Sequence, residues 1–91
     1  MDISIDSLET LGCIIRAVRK SQGLRQDDAA GSTGVSENFF AKLERGGSTV
    51  QLGKAMQVLD ELGIRLYVDV PDSAAHYLKK TKRKASGKDS K

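Results

Sequence analysis

The chain has 91 residues, enough for one small domain whose core is only marginally stable on its own. Hydrophobic residues make up 38% of it and aromatic residues only 4%, so aliphatic side chains must form most of that core. The formal net charge of +3 arises at the C-terminal end, because residues 1–71 carry eight Lys and Arg against ten Asp and Glu. A basic pI therefore gives no argument for nucleic-acid binding by the domain itself.

The sequence lacks the features of a secreted, membrane or catalytic protein. Cys13 is the only cysteine, which excludes an internal disulfide, and its apolar helical setting predicts a buried, unreactive thiol. No apolar run approaches the roughly 20 residues that span a membrane, and the acidic N-terminus lacks the order of a signal peptide. His76, the only histidine, has no metal-ligand neighbours. We therefore expect a cytoplasmic protein that is not an enzyme and has no cofactor or metal.

Apolar side chains recur at helical spacing along four stretches that glycines separate. Ser7 precedes the first stretch and Ser36 the third, and serine is a favourable N-cap residue. In the fourth stretch the apolar stripe consists of Leu52, Ala55, Met56, Leu59 and Leu62. The predicted helices cover residues 7–21, 25–30, 37–45 and 50–62, with a break over residues 31–34.

The period of the pattern changes after the fourth helix. Apolar residues then alternate with polar ones as far as Pro71, which is typical of a half-buried strand. A lone strand leaves its backbone groups unpaired, so we expect pairing with the same strand of a second molecule in a homodimer. Pairing with the alternating segment 3–5 is the alternative. The residues predicted to form this dimer strand are Ile64, Leu66, Val68 and Val70.

These elements predict an all-α domain of four to five helices with one C-terminal β-strand. The domain and its dimerisation strand occupy residues 1–71. Residues 72–91 carry seven Lys and Arg against two Asp and Glu, and they are predicted to form a basic, flexible tail that starts helically.

The second and third helices, joined by a tight turn, have the pattern of a helix-turn-helix unit. In such a unit the second helix fits the major groove of B-DNA. The turn is Thr33-Gly34-Val35, where Gly34 is free to take a left-handed conformation. Helix–glycine–helix segments also occur in ordinary helical bundles, so a protein-only docking module remains an alternative.

The stretch LGCIIRAVRKSQGLRQDDAAGSTGVSENFFAKLERG resembles the Xre/Cro family of helix-turn-helix domains, above all through GLRQDDAA, GVS and KLERG. Its continuation, STVQLGKAMQVLDELGIRLYVDVP, resembles HipB-like antitoxins, which pair with HipA-like serine/threonine kinase toxins. The likeness covers residues 8–71. It implies a sequence-specific transcriptional repressor that binds a palindromic operator of double-stranded DNA and autoregulates a toxin–antitoxin operon. A stand-alone repressor without a toxin is the alternative.

The same resemblance implies roles for individual residues. Gln26 matches the family glutamine that reaches the DNA backbone, and Arg19 and Glu44 match a pair that forms an internal salt bridge. Asn can bond adenine at two points, Glu can accept from cytosine, and Lys can reach guanine or a phosphate. The candidate DNA-binding residues are Arg25, Gln26, Ser36, Glu37, Asn38, Ala41, Lys42 and Arg45.

Some of these residues also have a purely structural interpretation. Glu37 stabilises the positive end of the helix dipole whether or not it contacts a base. Arg45 fits a solvated surface charge as well as a phosphate contact, and Phe39 fits either packing between helices or contact with a thymine methyl. Gly31 departs from the family pattern and should cost the second helix about 1 kcal/mol relative to alanine.

Overall fold

A computed structural model describes residues 1–78 of the chain. Within that range the chain forms four α-helices, one short 3₁₀ helix and a further helical turn at residues 75–78, and none of the helices is long and apolar enough to cross a membrane. The predicted all-helical domain is confirmed, although the helix ends shift by up to a turn. Most of the predicted basic tail, residues 79–91, lies outside the described residues. The helices are α1 (Leu8–Ser21), α2 (Gln26–Thr33), α3 (Glu37–Glu44), α4 (Leu52–Glu61) and the 3₁₀ helix Asp72–Ala74.

Both predicted serine caps are present at the starts of their helices. The Ser7 hydroxyl oxygen accepts a hydrogen bond from the Thr10 backbone N–H at 3.1 Å. The Ser36 hydroxyl oxygen accepts one from the Phe39 backbone N–H at 3.0 Å. Each bond satisfies one of the N–H groups that lack a partner in the first turn, so the starts of α1 and α3 are determined locally.

The core lies where all four helices meet, around the fully buried side chains of Ile15, Phe40 and Val58. The predicted stripe of α4 is wrong at two positions, because Leu52 is 73% exposed and Met56 45% exposed. The buried residues of α4 and its C-cap are instead Ala55, Val58, Leu59 and Leu62. This set has the regular spacing of three and four residues, whereas Leu52 and Met56 share the outer face of the helix.

The crossing of α1 over α3 depends on a residue without a side chain. Gly12 is buried, and a Cβ atom at this position would lie 2.8 Å from the Leu43 carbonyl oxygen and closer still to that of Glu44. Such contacts are shorter than van der Waals separation, so only glycine lets the two backbones approach this closely. No local pattern in the sequence marks Gly12 as a point of close approach.

The predicted break over residues 31–34 is also wrong, because α2 continues to Thr33 and ends only at Gly34. Gly34 has φ +77° in the left-handed region. Its N–H donates to the Gly31 carbonyl at 3.3 Å, and the Val35 N–H donates to the Ala30 carbonyl at 3.1 Å. This pair of bonds is the Schellman pattern, which tolerates Gly31 inside the helix because the end is closed one turn later.

The predicted C-terminal strand does not form within this chain. Residues 64–70 have no regular secondary structure, and neither do residues 3–5, so the alternative internal pairing is absent as well. The Ile64 N–H instead donates to the Leu59 carbonyl at 2.9 Å, as part of the end of α4. A strand requires a neighbouring strand to accept its backbone hydrogen bonds, and residues 1–78 supply none.

Cys13 is exposed, so the prediction of a buried thiol is wrong. The inner face of α1 is formed by Gly12, Ile15 and Arg19, and Cys13 lies on the outer face. There it lines an open groove together with residues of the N-terminal segment and of the segment after α4. An apolar run on a short helix is not sufficient to identify which of its faces meets the core.

Candidate nucleic-acid interface

The outer face of α3 is left uncovered by the rest of the described chain. Glu37 and Asn38 in its first turn are exposed, and Ala41 and Lys42 one turn later are half-buried. The opposite face buries Phe40, Leu43 and Glu44. Because residues four apart lie above one another on a helix, the four outward positions form one continuous surface.

The inner face of α3 is held by a buried ionic cluster of Arg19, Gln26 and Glu44. Arg19 Nε donates to Glu44 Oε2 at 2.6 Å and Arg19 Nη2 donates to Glu44 Oε1 at 3.1 Å, a two-point contact. The side chains of the two residues are only 10% and 4% exposed. The predicted structural ion pair is therefore present, and the hydrogen bond to Glu44 raises the pKa of Arg19 above its usual value.

Gln26, the third member of the cluster, has an internal partner in addition to the DNA contact predicted for it. Gln26 Nε2 donates to Glu44 Oε1 at 2.9 Å. Arg19 Nη1 also donates to the Leu24 carbonyl at 2.9 Å, at the loop that leads into α2. The cluster thus joins α1, α2 and α3 through one carboxylate, and it determines where the start of α2 lies relative to α3.

The remaining candidate residues lie at the edges of the exposed face of α3. Arg25 precedes α2, is exposed, and pairs with Asp27 at 3.2 Å. Arg45 is the exposed C-cap residue of α3. The Ser36 hydroxyl serves as the N-cap. The structure therefore places basic side chains before α2 and after α3, on either side of the helix-turn-helix unit.

The aliphatic stem of Lys42 rests on the loop that follows α3. A Cβ atom at Gly47 would lie 2.6 Å from Lys42 Cγ, so a larger residue at position 47 would displace this side chain. The Gly47 N–H donates to the Lys42 carbonyl at 3.0 Å. Gly47 therefore supports the position of one residue of the candidate surface.

Helix α4 contacts both helices of the helix-turn-helix unit. Gln57 Nε2 donates to the Thr33 carbonyl at 2.7 Å, and Lys54 Nζ lies 5.8 Å from the centroid of the Phe39 ring. Phe39 is half-buried against the core, which favours its packing interpretation. No local pattern in the sequence indicates these contacts, because their partners lie many residues apart along the chain.

The described part of the chain offers no sign of a catalytic metal centre. Residues 1–78 contain no group of three or more His, Cys, Asp or Glu side chains that could hold a metal ion. Every buried side-chain nitrogen or oxygen atom among them has a hydrogen-bond partner. The candidate site is the face of α3 that carries Glu37, Asn38, Ala41 and Lys42, with its basic edges.

The chain is similar in sequence to known helix-turn-helix proteins. A helix-turn-helix family profile matches residues 15–68. The chain is 46% identical over 61 residues to the uncharacterized HTH-type transcriptional regulator y4mF of Sinorhizobium fredii (strain NBRC 101917 / NGR234), covering 67% of this chain and 80% of the relative.

Solved structures share the fold as well. HipB in a HipA–HipB–O2–O3 complex superposes with a TM-score of 0.69 at 18% identity, covering 78% of this chain and all of that one. The restriction-modification controller protein C.AhdI from Aeromonas hydrophila has a TM-score of 0.57 at 28% identity, covering 64% and 84%. The clp gene regulator ClgR from C. glutamicum has a TM-score of 0.58 at 29% identity, covering 65% and 76%.

Proposed function

This chain belongs to the Xre-type helix-turn-helix family of transcriptional regulators, and from that premise we propose that it is a sequence-specific repressor that binds a palindromic DNA operator. The observation that carries the proposal is the division of α3 into two faces. One face is buried and joined to α1 and α2 through Glu44, and the other carries the exposed Asn38 and the half-buried Lys42. A rigid helix with one polar face uncovered is what entry into a major groove requires.

The residues of this surface divide by the chemistry of the contact they suit. Asn38 can donate to and accept from adenine at once, and Glu37 can accept from the cytosine amino group. Ala41 is small enough to let a base edge approach, and Lys42 reaches guanine or a phosphate. The flanking groups suit phosphate contacts, which position the protein without reading sequence. These flanking residues are Arg25, Gln26, Ser36 and Arg45.

The proposed functional unit is a homodimer in which segments 64–70 of two chains pair as antiparallel strands. Four large apolar side chains of this segment are exposed in the single chain, with Val68 the most exposed at 81%. The alternating sequence gives such a strand one apolar face, and a second copy supplies the backbone partners that residues 1–78 lack. Two copies would place their α3 helices about one turn of DNA apart, or a small multiple of it, on a palindrome.

The proposal extends to a toxin partner. The resemblance of TVQLGK and LGIRL to HipB-like antitoxins favours a HipA-like kinase as partner. The relative from Sinorhizobium fredii, described only as a transcriptional regulator, favours the alternative of a stand-alone repressor. Purification of the chain together with the product of a neighbouring kinase gene supports the antitoxin role, and the absence of any such gene supports the alternative.

The first test is footprinting of the purified protein on the DNA upstream of its own gene. We expect the wild-type protein to protect a palindromic site. The Asn38→Ala variant should protect it more weakly, because a two-point contact to adenine contributes about 1–3 kcal/mol, or roughly 5- to 150-fold in affinity. Lys42→Ala should weaken binding, and if Lys42 contacts a phosphate it should reduce the log–log salt dependence by about 0.9.

A matched control is Lys20→Ala, which removes the same charge from an exposed position of α1. This variant should retain the wild-type footprint. The proposal is wrong if the wild-type protein protects no site, or if Asn38→Ala combined with Lys42→Ala protects the operator as well as the wild type does. A protein that folds and binds no DNA would favour the protein-only docking module.

A further inference from the structure

Two side chains of α4 contact the helix-turn-helix unit on either side of its turn. Gln57 bonds to the carbonyl of Thr33, the last residue of α2. Lys54 lies over the ring of Phe39 in the first turn of α3. Residues three apart on a helix lie on the same face, so one face of α4 touches the end of one helix and the start of the next.

The carbonyl that Gln57 binds is one that a helix cannot satisfy by itself. The last four carbonyls of a helix have no partner within it, and the Schellman bonds at the end of α2 use those of Ala30 and Gly31. Gln57 supplies a donor to the Thr33 carbonyl from 24 residues away. The contact therefore adds a tertiary hydrogen bond at the point from which the turn departs.

Gly34 makes room for this contact. A Cβ atom at position 34 would lie 2.9 Å from Gln57 Nε2, in addition to the strain that a side chain would suffer at φ +77°. The glycine of the turn is thus needed twice, once for its backbone conformation and once for the approach of Gln57. A side chain at this position would displace the amide from the Thr33 carbonyl.

The two contacts lie beside the N-terminal end of α3, which carries Glu37 and Asn38, two of the residues proposed to contact bases. The far end of α3 is fixed by Glu44 through Arg19 and Gln26. The near end, where Glu37 and Asn38 lie, begins four residues after Thr33, which Gln57 contacts, and is capped by Ser36. Helix α4 thus contacts both the turn that leads into this near end and Phe39 within it.

We propose that Gln57, together with Lys54, is a positioning residue for operator recognition: α4 sets the angle at which α3 presents its N-terminal turn, without itself contacting DNA. This inference rests on the proposed function. It predicts a defect in sequence discrimination, because a small change in the angle of α3 misplaces Asn38 relative to a base edge. Phosphate contacts tolerate such a change, since they depend mainly on charge.

The test measures the affinity of the full chain for its footprinted operator and for an unrelated duplex of equal length. Gln57→Met keeps the length of the side chain and removes the donor. We expect the ratio of specific to non-specific affinity to fall by about three- to tenfold, the range of one lost hydrogen bond. Non-specific affinity and its salt dependence should stay at the wild-type values. Gln51→Met is the matched control, because Gln51 is exposed and makes no side-chain capping bond.

The variant Lys54→Met distinguishes a positioning role of Lys54 from direct contact of Lys54 with DNA. If Lys54 acts through Phe39, the specificity ratio falls and the salt dependence of binding stays unchanged. A decrease of about 0.9 in the log–log slope would instead identify Lys54 as a phosphate contact and overturn its part of the proposal. Since both side chains act on the same turn, combining Lys54→Met with Gln57→Met should reduce the ratio by less than the product of the single effects.

The outcomes distinguish this proposal from the function on which it rests. If the wild-type protein shows no preference for the upstream DNA, both the repressor function and the positioning role are wrong. If the wild type discriminates and Gln57→Met discriminates equally well, only the positioning role is wrong. A variant that melts at a lower temperature and keeps the specificity ratio would show that Gln57 contributes to stability alone.

Discussion

The helix-turn-helix half of the molecule and the segment after α4 contain similar apolar residues with opposite surroundings. Ile15, Phe40 and Leu43 are at most 4% exposed, whereas Tyr67 and Val68 are 66% and 81% exposed. Even the charged residues Arg19 and Glu44 are buried and paired in the first region. The first region therefore buries its apolar residues within a single chain, whereas residues 66–70 leave theirs exposed among residues 1–78.

The reason for the difference lies in how each region satisfies its backbone. Helices α1 to α3 form their hydrogen bonds locally, so that their apolar faces are free to pack on one another. Residues 64–70 have an extended pattern, and an extended segment forms its hydrogen bonds only with a neighbouring strand. Substitutions in the first region should therefore change the free energy of unfolding, and substitutions in the second should change the oligomeric state.

The largest effect should follow from breaking the ionic cluster of the first region. Glu44→Ala leaves Arg19 buried without its carboxylate, and we expect it to lower the free energy of unfolding by about 3–5 kcal/mol. Urea unfolding followed by circular dichroism measures this change. Glu61→Ala, at the exposed end of α4, is the control and should change it by no more than about 0.5 kcal/mol.

Replacing the whole pair tests whether the cost comes from an unpaired charge. Arg19→Met combined with Glu44→Leu should recover much of the stability lost in Glu44→Ala, because two apolar residues can fill the same buried space. If the double variant is as unstable as Glu44→Ala, the interactions of the ion pair and of Gln26 with Glu44 stabilise the fold by more than the desolvation of the two charges costs.

The next largest effect concerns the crossing of α1 over α3. Gly12→Ala places a methyl group against the backbone carbonyls of Leu43 and Glu44, and we expect it to lower the free energy of unfolding by about 1–3 kcal/mol. Gly31→Ala is the matched control, since its Cβ atom would meet nothing within 4 Å and its φ is not positive. It should raise the free energy of unfolding by about 0.5–1 kcal/mol. Equal effects of the two substitutions would contradict the close crossing.

The smallest effect on stability and the clearest effect on assembly should follow from a substitution in the second region. Val68→Lys should leave the stability of the monomer unchanged within about 0.5 kcal/mol, because the side chain is exposed in the single chain. Light scattering during size-exclusion chromatography should show that the wild type is a dimer and that this variant is a monomer. Asp69→Lys alters the opposite face of the proposed strand and should remain dimeric. A monomeric wild type would refute the paired strand.

Much of the first region could be predicted from the sequence because its determinants are local. The serine caps at positions 7 and 36 and the glycine turn at position 34 act within a few residues of their partners. The Arg19–Glu44 pair spans 25 residues and was inferred from family resemblance, since nothing in the spacing of the two residues indicates it. The exposed face of α3 followed from which of its positions are apolar.

The errors arise where the surroundings of a helix, and not its own sequence, decide the outcome. Gly31 was expected to interrupt α2, but buried Ala29 and Ala30 and the closed end at Gly34 keep that turn helical. Cys13 was expected inside because it adjoins apolar residues, yet α3 packs against the face of Gly12. In α4 the residues Leu52 and Met56 match the apolar spacing of a core stripe, yet both are exposed because the helix buries the face of Ala55, Val58 and Leu59.

The positions of the helices, their N-caps and the polar face of α3 follow from the amino-acid sequence alone, because they depend on side chains one turn apart. The buried face of α1, the bond of Gln26 to Glu44 and the bond of Gln57 to the end of α2 depend on how the helices pack. These contacts join residues that are far apart along the chain. The close approach of α1 to α3 at Gly12 and of Gln57 to Gly34 is likewise set by packing, and no local pattern contains those distances.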